Sequence, residues 1–529
     1  MIGGRRGAAR PAGVTATIAT TAVLVLALSL SACKLGPDFF SPSAPPEQHY
    51  ASRGERLPGE PSPEAEGAPK QNVAFGAKVT ADWWRLFHSA ALDTVVRQAL
   101  ADSPTIAEAR ATLLQAHELV LAAAGTTLPQ LDLGSQLARQ AVNVAPTGLQ
   151  RVPIPVNVYG VGPTVSYQLD VFGSIKRQVE AQQALADTSE YQLAAAYLSL
   201  TGNIATQAIT IAGLRAQIAT VEQILEDDRQ NLQLVNTAFA AGTASQVDVT
   251  TAESQLANDR TLRPPLRQQL SVATHALAVF AGKSPAEWAP PQFDLASLTL
   301  PGDIPVSLPS QLVRQRPDIL AAEAQLHQAG ALVGVATANL YPNLSLTAGV
   351  GQQATQVSNF FSGLYNAWNI GLGLSAPIFH GGTLRARKRA AVAGFEAARD
   401  AYRETVLQAF GQVADLLEAL AHDAEAVGTQ RHATDTAQEA LRLVRLSYQN
   451  GNSTLLNVLD NERQAQQAEL GLVRAETQRL LDTAQLFVGL GSGWWDTPAN
   501  HPPPPPAPKP SPGPLVLPDR GRGGAAAAL

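Results

Sequence analysis

The chain has 529 residues, enough for several ordinary domains, with 16% of them charged and a net charge of −6. That weak acidity leaves no basic footprint for nucleic acid. A single cysteine excludes an internal disulfide, and the scattered histidines include no HExxH string, so no zinc set or catalytic constellation emerges.

Arg5, Arg6 and Arg10 precede an uncharged run from Val14 to Leu30. A basic start followed by an apolar stretch makes residues 1–32 a signal peptide. The run closes on Leu30-Ser31-Ala32-Cys33, which resembles a bacterial lipobox. Acylation of Cys33 would then supply the anchor, since two or more acyl chains bind a bilayer stably where one does not. The competing reading is an uncleaved signal anchor, for which the run is marginally long enough. Lys34 stands after the cysteine where an inner-membrane retention aspartate would stand, which favours the outer membrane. Beyond residue 33 nothing reads as a transmembrane helix, so any further crossing must be a closed barrel.

Residues 33–80 are rich in Pro, Gly and Glu and read as an extended segment. Two long units follow, 81–300 and 301–496, and they repeat each other. Ser103-Pro104-Thr105-Ile106 returns as Arg316-Pro317-Asp318-Ile319, and Leu128-Pro129-Gln130-Leu131 as Tyr341-Pro342-Asn343-Leu344, both at an offset of 213. Phe239-Ala240-Ala241-Gly242 returns as Tyr448-Gln449-Asn450-Gly451 at an offset of 209. Solenoid units run about 20–50 residues, so this is one large structural unit used twice. Residues 497–529, with Pro502 to Pro506 and an alanine-rich end, read as a disordered tail.

Each unit predicts a medium helix, a strand hairpin, a very long helix, a glycine turn and a second medium helix. The helices fall near 91–124, 173–239 and 246–282, then near 309–340, 381–447 and 455–490. A helix of about 67 residues is about 100 Å long, which no compact domain accommodates. Two medium helices stacked end to end match one long one, giving elongated antiparallel pairs. Alanines such as Ala181, Ala184, Ala205, Ala208 and Ala212 would permit close approach. Pro264-Pro265 predicts a break or kink inside the 246–282 helix.

The hairpins fall near 130–171 and 343–378. From Tyr159 to Val171 the odd residues are large and mostly apolar, while Gly160, Gly162, Thr164, Ser166, Gln168 and Asp170 oppose them. Leu344, Leu346, Ala348 and Val350 likewise oppose Ser345, Thr347, Gly349 and Gly351. Ile370, Leu372 and Leu374 oppose Asn369, Gly371 and Gly373. A half-buried soluble sheet would also alternate, but a face this small and polar suits a water-filled lumen. The stretch from Leu131 to Arg139 alternates least. Four strands cannot close a barrel, so copies must share one: two copies would give about eight strands and three about twelve.

The motifs along the chain resemble the outer membrane factor (TolC-like) family of efflux systems, most closely its NodT/OprM-type lipoproteins. The carriers are the lipobox, Gly36-Pro37-Asp38-Phe39, Trp83-Trp84-Arg85-Leu86-Phe87 and Leu169-Asp170-Val171-Phe172-Gly173. Leu308-Pro309-Ser310-Gln311-Leu312, Arg314-Gln315-Arg316-Pro317-Asp318-Ile319, Gly489-Leu490-Gly491 and Gly493-Trp494-Trp495 complete them. The resemblance implies a mainly α protein with a membrane β-barrel. Three chains would share a twelve-stranded barrel continued by a periplasmic helical tunnel. It also implies a non-enzymatic, gated exit duct in the outer membrane, without cofactors beyond the lipid on Cys33. The implied partners are a periplasmic adaptor protein and an inner-membrane pump, of RND type.

The same resemblance assigns roles to residues. The turns Gly242-Thr243-Ala244-Ser245 and Gly451-Asn452-Ser453-Thr454 would dock on the adaptor, though a glycine also ends a helix for purely local reasons. Leu456, Asp460 and Arg463 share one helical face and match the family's tunnel-mouth constriction. An apolar ring can gate by dewetting and an acidic ring attracts cations. Asn457 replaces a second aspartate of TolC-like members, and Asp248 matches an acidic position that helps hold the closed state. Two rival functions remain at this stage: the exit duct of a type I secretion system, and a non-conducting lipoprotein tether across the periplasm.

Overall fold

A computed structural model describes residues 34–51, 66–141, 155–360, 362–363 and 366–491. The signal segment, Cys33, Gly493-Trp494-Trp495 and the tail 497–529 lie outside the described residues. In the first unit the elements run β1 (Asn72–Phe75), α1 (Ala90–Asp102), α2 (Pro104–Gly125), β2 (Gln130–Ala141), β3 (Pro155–Leu169), α3 (Ser174–Ala240), α4 (Gln246–Arg260) and α5 (Arg263–Phe280). The second continues with β4 (Asp303–Val306), α6 (Pro309–Leu312), α7 (Pro317–Ala338), β5 (Asn343–Ala354), β6 (Asn366–Ser375), α8 (Thr383–Gln449) and α9 (Leu455–Gly489).

The repeat is maintained to the residue. Helices α2 and α7 have 22 residues each and sit 213 apart at both ends. Helices α3 and α8 have 67 each and sit 209 apart. Each long helix begins behind a glycine of positive φ, Gly173 or Gly382, where a side chain would be strained. In the first copy Asp170 reinforces the start by accepting from the backbone N–H groups of Ile175 and Lys176 at 3.0 and 2.8 Å.

The medium helices are more broken than their hydrophobic pattern predicts. The 91–124 helix stops at Asp102 and restarts at Pro104, and the 309–340 helix is a single turn, α6, followed by α7 from Pro317. In both cases a proline pushes the residue before it, Ser103 or Arg316, into extended backbone. Pro264-Pro265 act differently. They fall in the first turn of α5, where a missing N–H costs nothing, and the break comes just ahead of them at Thr261 and Leu262.

Helix α3 forms the spine, packing against α1, α2, α4, α5, α7 and α9. Ala181, Ala184, Ala205, Ala208 and Ala212 are all buried in it, and Gly202 and Gly213 bring α9 closer still. Among the described residues the N-terminal segment is bound to the body of the protein rather than loose. Its β1 pairs in parallel with β4 at the start of the second unit. Four-residue strands show too little alternation to be read from sequence. Just beyond β1, Trp83 and Phe87 insert against Phe487 of α9, with ring centroids 5.6 and 6.3 Å apart.

The four long strands make one antiparallel sheet in the order β2-β3-β5-β6. Its register sets Leu131 by Val165, Val165 by Ala348 and Ala348 by Ile370, so one face is apolar across all four strands. The opposite face carries Asp132, Thr164, Gly349 and Asn369 in the adjacent row. Gly162 and Gly351 meet where the β3–β5 ladder skips two positions, and a Cβ on Gly162 would stand 2.3 Å from the Val350 carbonyl oxygen. Among the described residues, strands β2 and β6 have no further partner. Among the described residues no helix is long and apolar enough to cross a membrane.

Candidate functional site

Both helical hairpins turn at the end of the molecule remote from the sheet, and the turns are built alike. Gly242 and Gly451 have φ of 77° and 74°. Thr243 N–H reaches back to Ala238 C=O, and Asn452 N–H to Ser447 C=O, each at 2.9 Å, closing the last turn of the long helix. The next helix then starts on a side-chain cap. Ser245 Oγ accepts from Asp248 N–H at 3.3 Å while Asp248 accepts from Ser245 N–H at 2.8 Å. In the second copy Thr454 Oγ1 accepts from Asn457 N–H at 3.4 Å.

These bonds define what Asp248 and Asn457 do locally. The offset of 209 makes them equivalent positions, but only Asp248 caps with its side chain, whereas the Asn457 amide donates to Ser453 Oγ at 3.3 Å. The bonds from Ser245 hold the Asp248 carboxyl below the usual carboxylate range. Neither residue lines the groove formed by the other predicted gate residues. That groove, about 580 Å³, runs between α4 and α9 just inside the turns, with Leu456, Asp460 and Arg463 on one wall and Thr251, Gln255 and Asp259 on the other. Arg463 Nη2 donates to Asp460 Oδ1 at 2.6 Å and Gln464 Nε2 to Asp460 Oδ2 at 3.2 Å. Leu456 is 64% exposed, and so is its first-copy equivalent Val247, at 72%. The equivalent of Asp460 is Thr251. The acid is therefore confined to one copy of the repeat.

At the other end of the helices the N-terminal segment is clamped beneath the sheet. Leu35 N–H donates to Phe172 C=O at 3.3 Å, just past the end of β3. Arg177, fully buried, donates to Leu35 C=O at 3.0 Å, Gly36 C=O at 3.1 Å and Asp38 Oδ1 at 2.9 Å. It also pairs with Glu180, which Lys34 and His327 reach at 2.6 and 3.1 Å. Phe39 stacks on His327 at 4.3 Å. Burial pushes the Glu180 carboxyl up, but the bonds from Lys34, His327 and Arg177 outweigh it and hold the group at about 2. Sequence reading found Gly36-Pro37-Asp38-Phe39 but missed Arg177, since an arginine in the first turn of a long helix carries no motif.

An antiparallel sheet with one apolar face and one small polar face, joined to paired helices of equal length, is the arrangement of a membrane duct. The two halves of the chain, 95–283 and 308–492, each match the family model described as "Outer membrane efflux protein". The chain belongs to that family. The pyoverdine export outer membrane protein OpmQ of Pseudomonas aeruginosa is 32% identical over 78% of this chain and 87% of its own length. Outer membrane protein OprJ of the same species is 30% identical over 89% of this chain and 95% of its own. Among solved structures, the outer-membrane channel OprN superposes with a TM-score of 0.75 at 26% identity, covering 87% of this chain and all of that one. As an outer membrane efflux protein, the chain resides in the outer membrane and extends into the periplasm. The paired sheet and helices are its barrel segment and its tunnel segment.

Proposed function

We propose that three copies of this chain close one twelve-stranded barrel over a helical tunnel. The assembly serves as the passive, gated exit duct of a tripartite pump for drugs or other small molecules. The carrying observation is the four-stranded sheet whose outer strands have no further partner among the described residues and whose one face is small and polar, with Asp132, Thr164, Gly349 and Asn369 in one row. Three such sheets make about twelve strands, within the range of single-lumen barrels. The turns Gly242–Ser245 and Gly451–Thr454, exposed at the far end, are the proposed contacts with a periplasmic adaptor, which would couple the duct to an inner-membrane transporter of RND type. The relatives named for export and efflux support that assignment. Cys33 is the proposed lipid attachment, supported by the tether of Lys34 and Leu35 at the base of the sheet, where the bilayer surface would lie.

Leu456, Asp460 and Arg463 form the proposed constriction, with Asp248 and Asn457 fixing the helix starts behind it. In each copy the pair would narrow the mouth, the Asp460 carboxylate drawing cations and Arg463 offsetting part of that charge. Replacing Asp460 by alanine frees Arg463 and removes the acidic ring. In planar bilayers Asp460→Ala should raise single-channel conductance several-fold and weaken cation preference. Conductance and selectivity equal to wild type would remove the gate from this position.

A further inference from the structure

Behind the groove wall formed by α4 lies a buried acid that the gate does not use. Asp228 of α3 is 2% exposed, and neither of its carboxylate oxygens meets a donor. Across the helix interface stands Asp259 of α4, which lines the groove opposite Asp460 and accepts from Gln255 Nε2 at 2.6 Å. Asp227 on its own helix and Glu462 on α9 also push the Asp228 carboxyl up.

None of the arginines flanking the pair, Arg229 on α3, Arg260 on α4 and Arg263 on α5, bonds to Asp228, and Arg229 pairs instead with Glu226 at 3.1 Å. Arg445 of α8 donates to Glu462 at 2.7 Å, Arg267 of α5 pairs with Glu222, and Arg463 of α9 with Asp460. Among the described residues no group of three acids or histidines could hold a metal ion. The Gln255 amide reaches only Asp259, and one proton held between the two carboxyl groups can satisfy Asp228, which meets no donor of its own. The setting also has little else to hold it. The apolar contacts near the turns form a separate small cluster of Val235, Val249 and Ala252, apart from the main core. Few buried apolar contacts make a region prone to local opening.

We propose that Asp228 and Asp259 form a proton-operated latch that ties α4 to α3 behind the gate groove. With the proton present, the O–H of one carboxyl group donates to the carboxylate of the other and α4 is held. When the proton leaves to solvent, two buried negative charges face each other, α4 loosens, and the wall opposite Leu456 and Asp460 yields. The link to gating rests on the exit-duct reading; the latch itself does not. Burial first, then Asp259, pushes the Asp228 carboxyl up to about 7. Because this group is raised above its ordinary value of 3.8, its contribution to holding α4 is complete below that value and is lost as pH rises through about 7.

Amide hydrogen exchange over residues 246–260 of the assembled protein tests the latch. Wild type is compared with Asp228→Asn at the same pH, so that the intrinsic pH dependence cancels. The asparagine amide can donate to Asp259 at any pH. The ratio of wild-type to variant exchange should rise about thirtyfold between about pH 5.5 and about pH 8, about one decade for each unit below about 7, and level off above it. Asp259→Asn provides a second variant with the same expectation. A ratio that stays flat against both variants overturns the latch. Bilayer conductance separates the two readings: a rising exchange ratio with no conductance response to Asp460→Ala would keep the latch and discard the gate.

Discussion

A single arginine decides whether the N-terminal segment stays on the body of the protein. Arg177 satisfies two backbone carbonyls and two carboxylates from a fully buried position. Removing one partner of such a buried set costs about 3–5 kcal/mol, because the remaining charges lose their compensation. Arg177→Ala should therefore lower the unfolding temperature and open residues 34–41 to protease. Asp38→Ala, at the exposed end of the clamp, should do far less. The same clamp has an acid limit. Glu180 is held at about 2, below its ordinary 4.5, so its contribution is present above about 4.5 and lost as pH falls towards 2. Proteolysis of the segment by an acid-active protease should accelerate across that window in wild type. Glu180→Gln should flatten the response. The glycine of the motif is explained by the same contact, since a Cβ on Gly36 would stand 2.5 Å from Gly334 Cα and its φ is +96°. The motif was visible in the sequence, whereas its purpose depended on partners some 140 to 300 residues away.

At the scale of elements, the long helices were legible because 67 residues of unbroken helical pattern outweigh every local ambiguity. The medium helices were less so: their apolar faces continue across Ser103 and Arg316, and only the prolines that follow mark the breaks. Most hidden were contacts chosen by small residues inside α3. A Cβ on Gly213 would lie 2.4 Å from Thr477 Cγ2 on α9. Glycine inside a helix costs about 1 kcal/mol relative to alanine, so Gly213→Ala would stabilise an isolated helix. Here overpacking of about 1–3 kcal/mol opposes that gain, and the β-branched Thr477 has little rotamer freedom with which to give way. The net effect should be destabilising, seen as a lower thermal midpoint by circular dichroism. Gly213→Ala combined with Thr477→Ala should recover most of the loss. The acidic pair between α3 and α4 escaped sequence reading for a similar reason. Asp228 and Asp259 belong to no spacing pattern and become neighbours only when the hairpin folds at Gly242.

The whole molecule turns on the two faces of its sheet, because one chain cannot use either face alone. Trp368, Ile370, Leu372 and Leu374 of β6 are each more than 60% exposed, as are Leu131, Leu133 and Leu137 of β2. In water so many exposed apolar side chains would drive association; against hydrocarbon they are in their proper solvent. The alternation that suggested a barrel could equally have belonged to a soluble sheet, and one experiment on adjacent residues distinguishes the two. Ile370 lies on the apolar face, opposite Ala348, and Gly371 on the polar face, opposite Thr347. A lysine on the lipid side of a barrel costs about 2–4 kcal/mol near the midplane, and in a trimer the cost recurs in each copy. Ile370→Lys should therefore abolish the heat-labile trimer in outer membrane fractions. A side chain at Gly371 meets only Thr347 Oγ1, at an ordinary 3.6 Å. Gly371→Lys should assemble normally and reduce cation conductance, because it places three positive charges in the lumen. If the two lysines behaved alike, the sheet would not separate lipid from water and the duct would lose its physical basis.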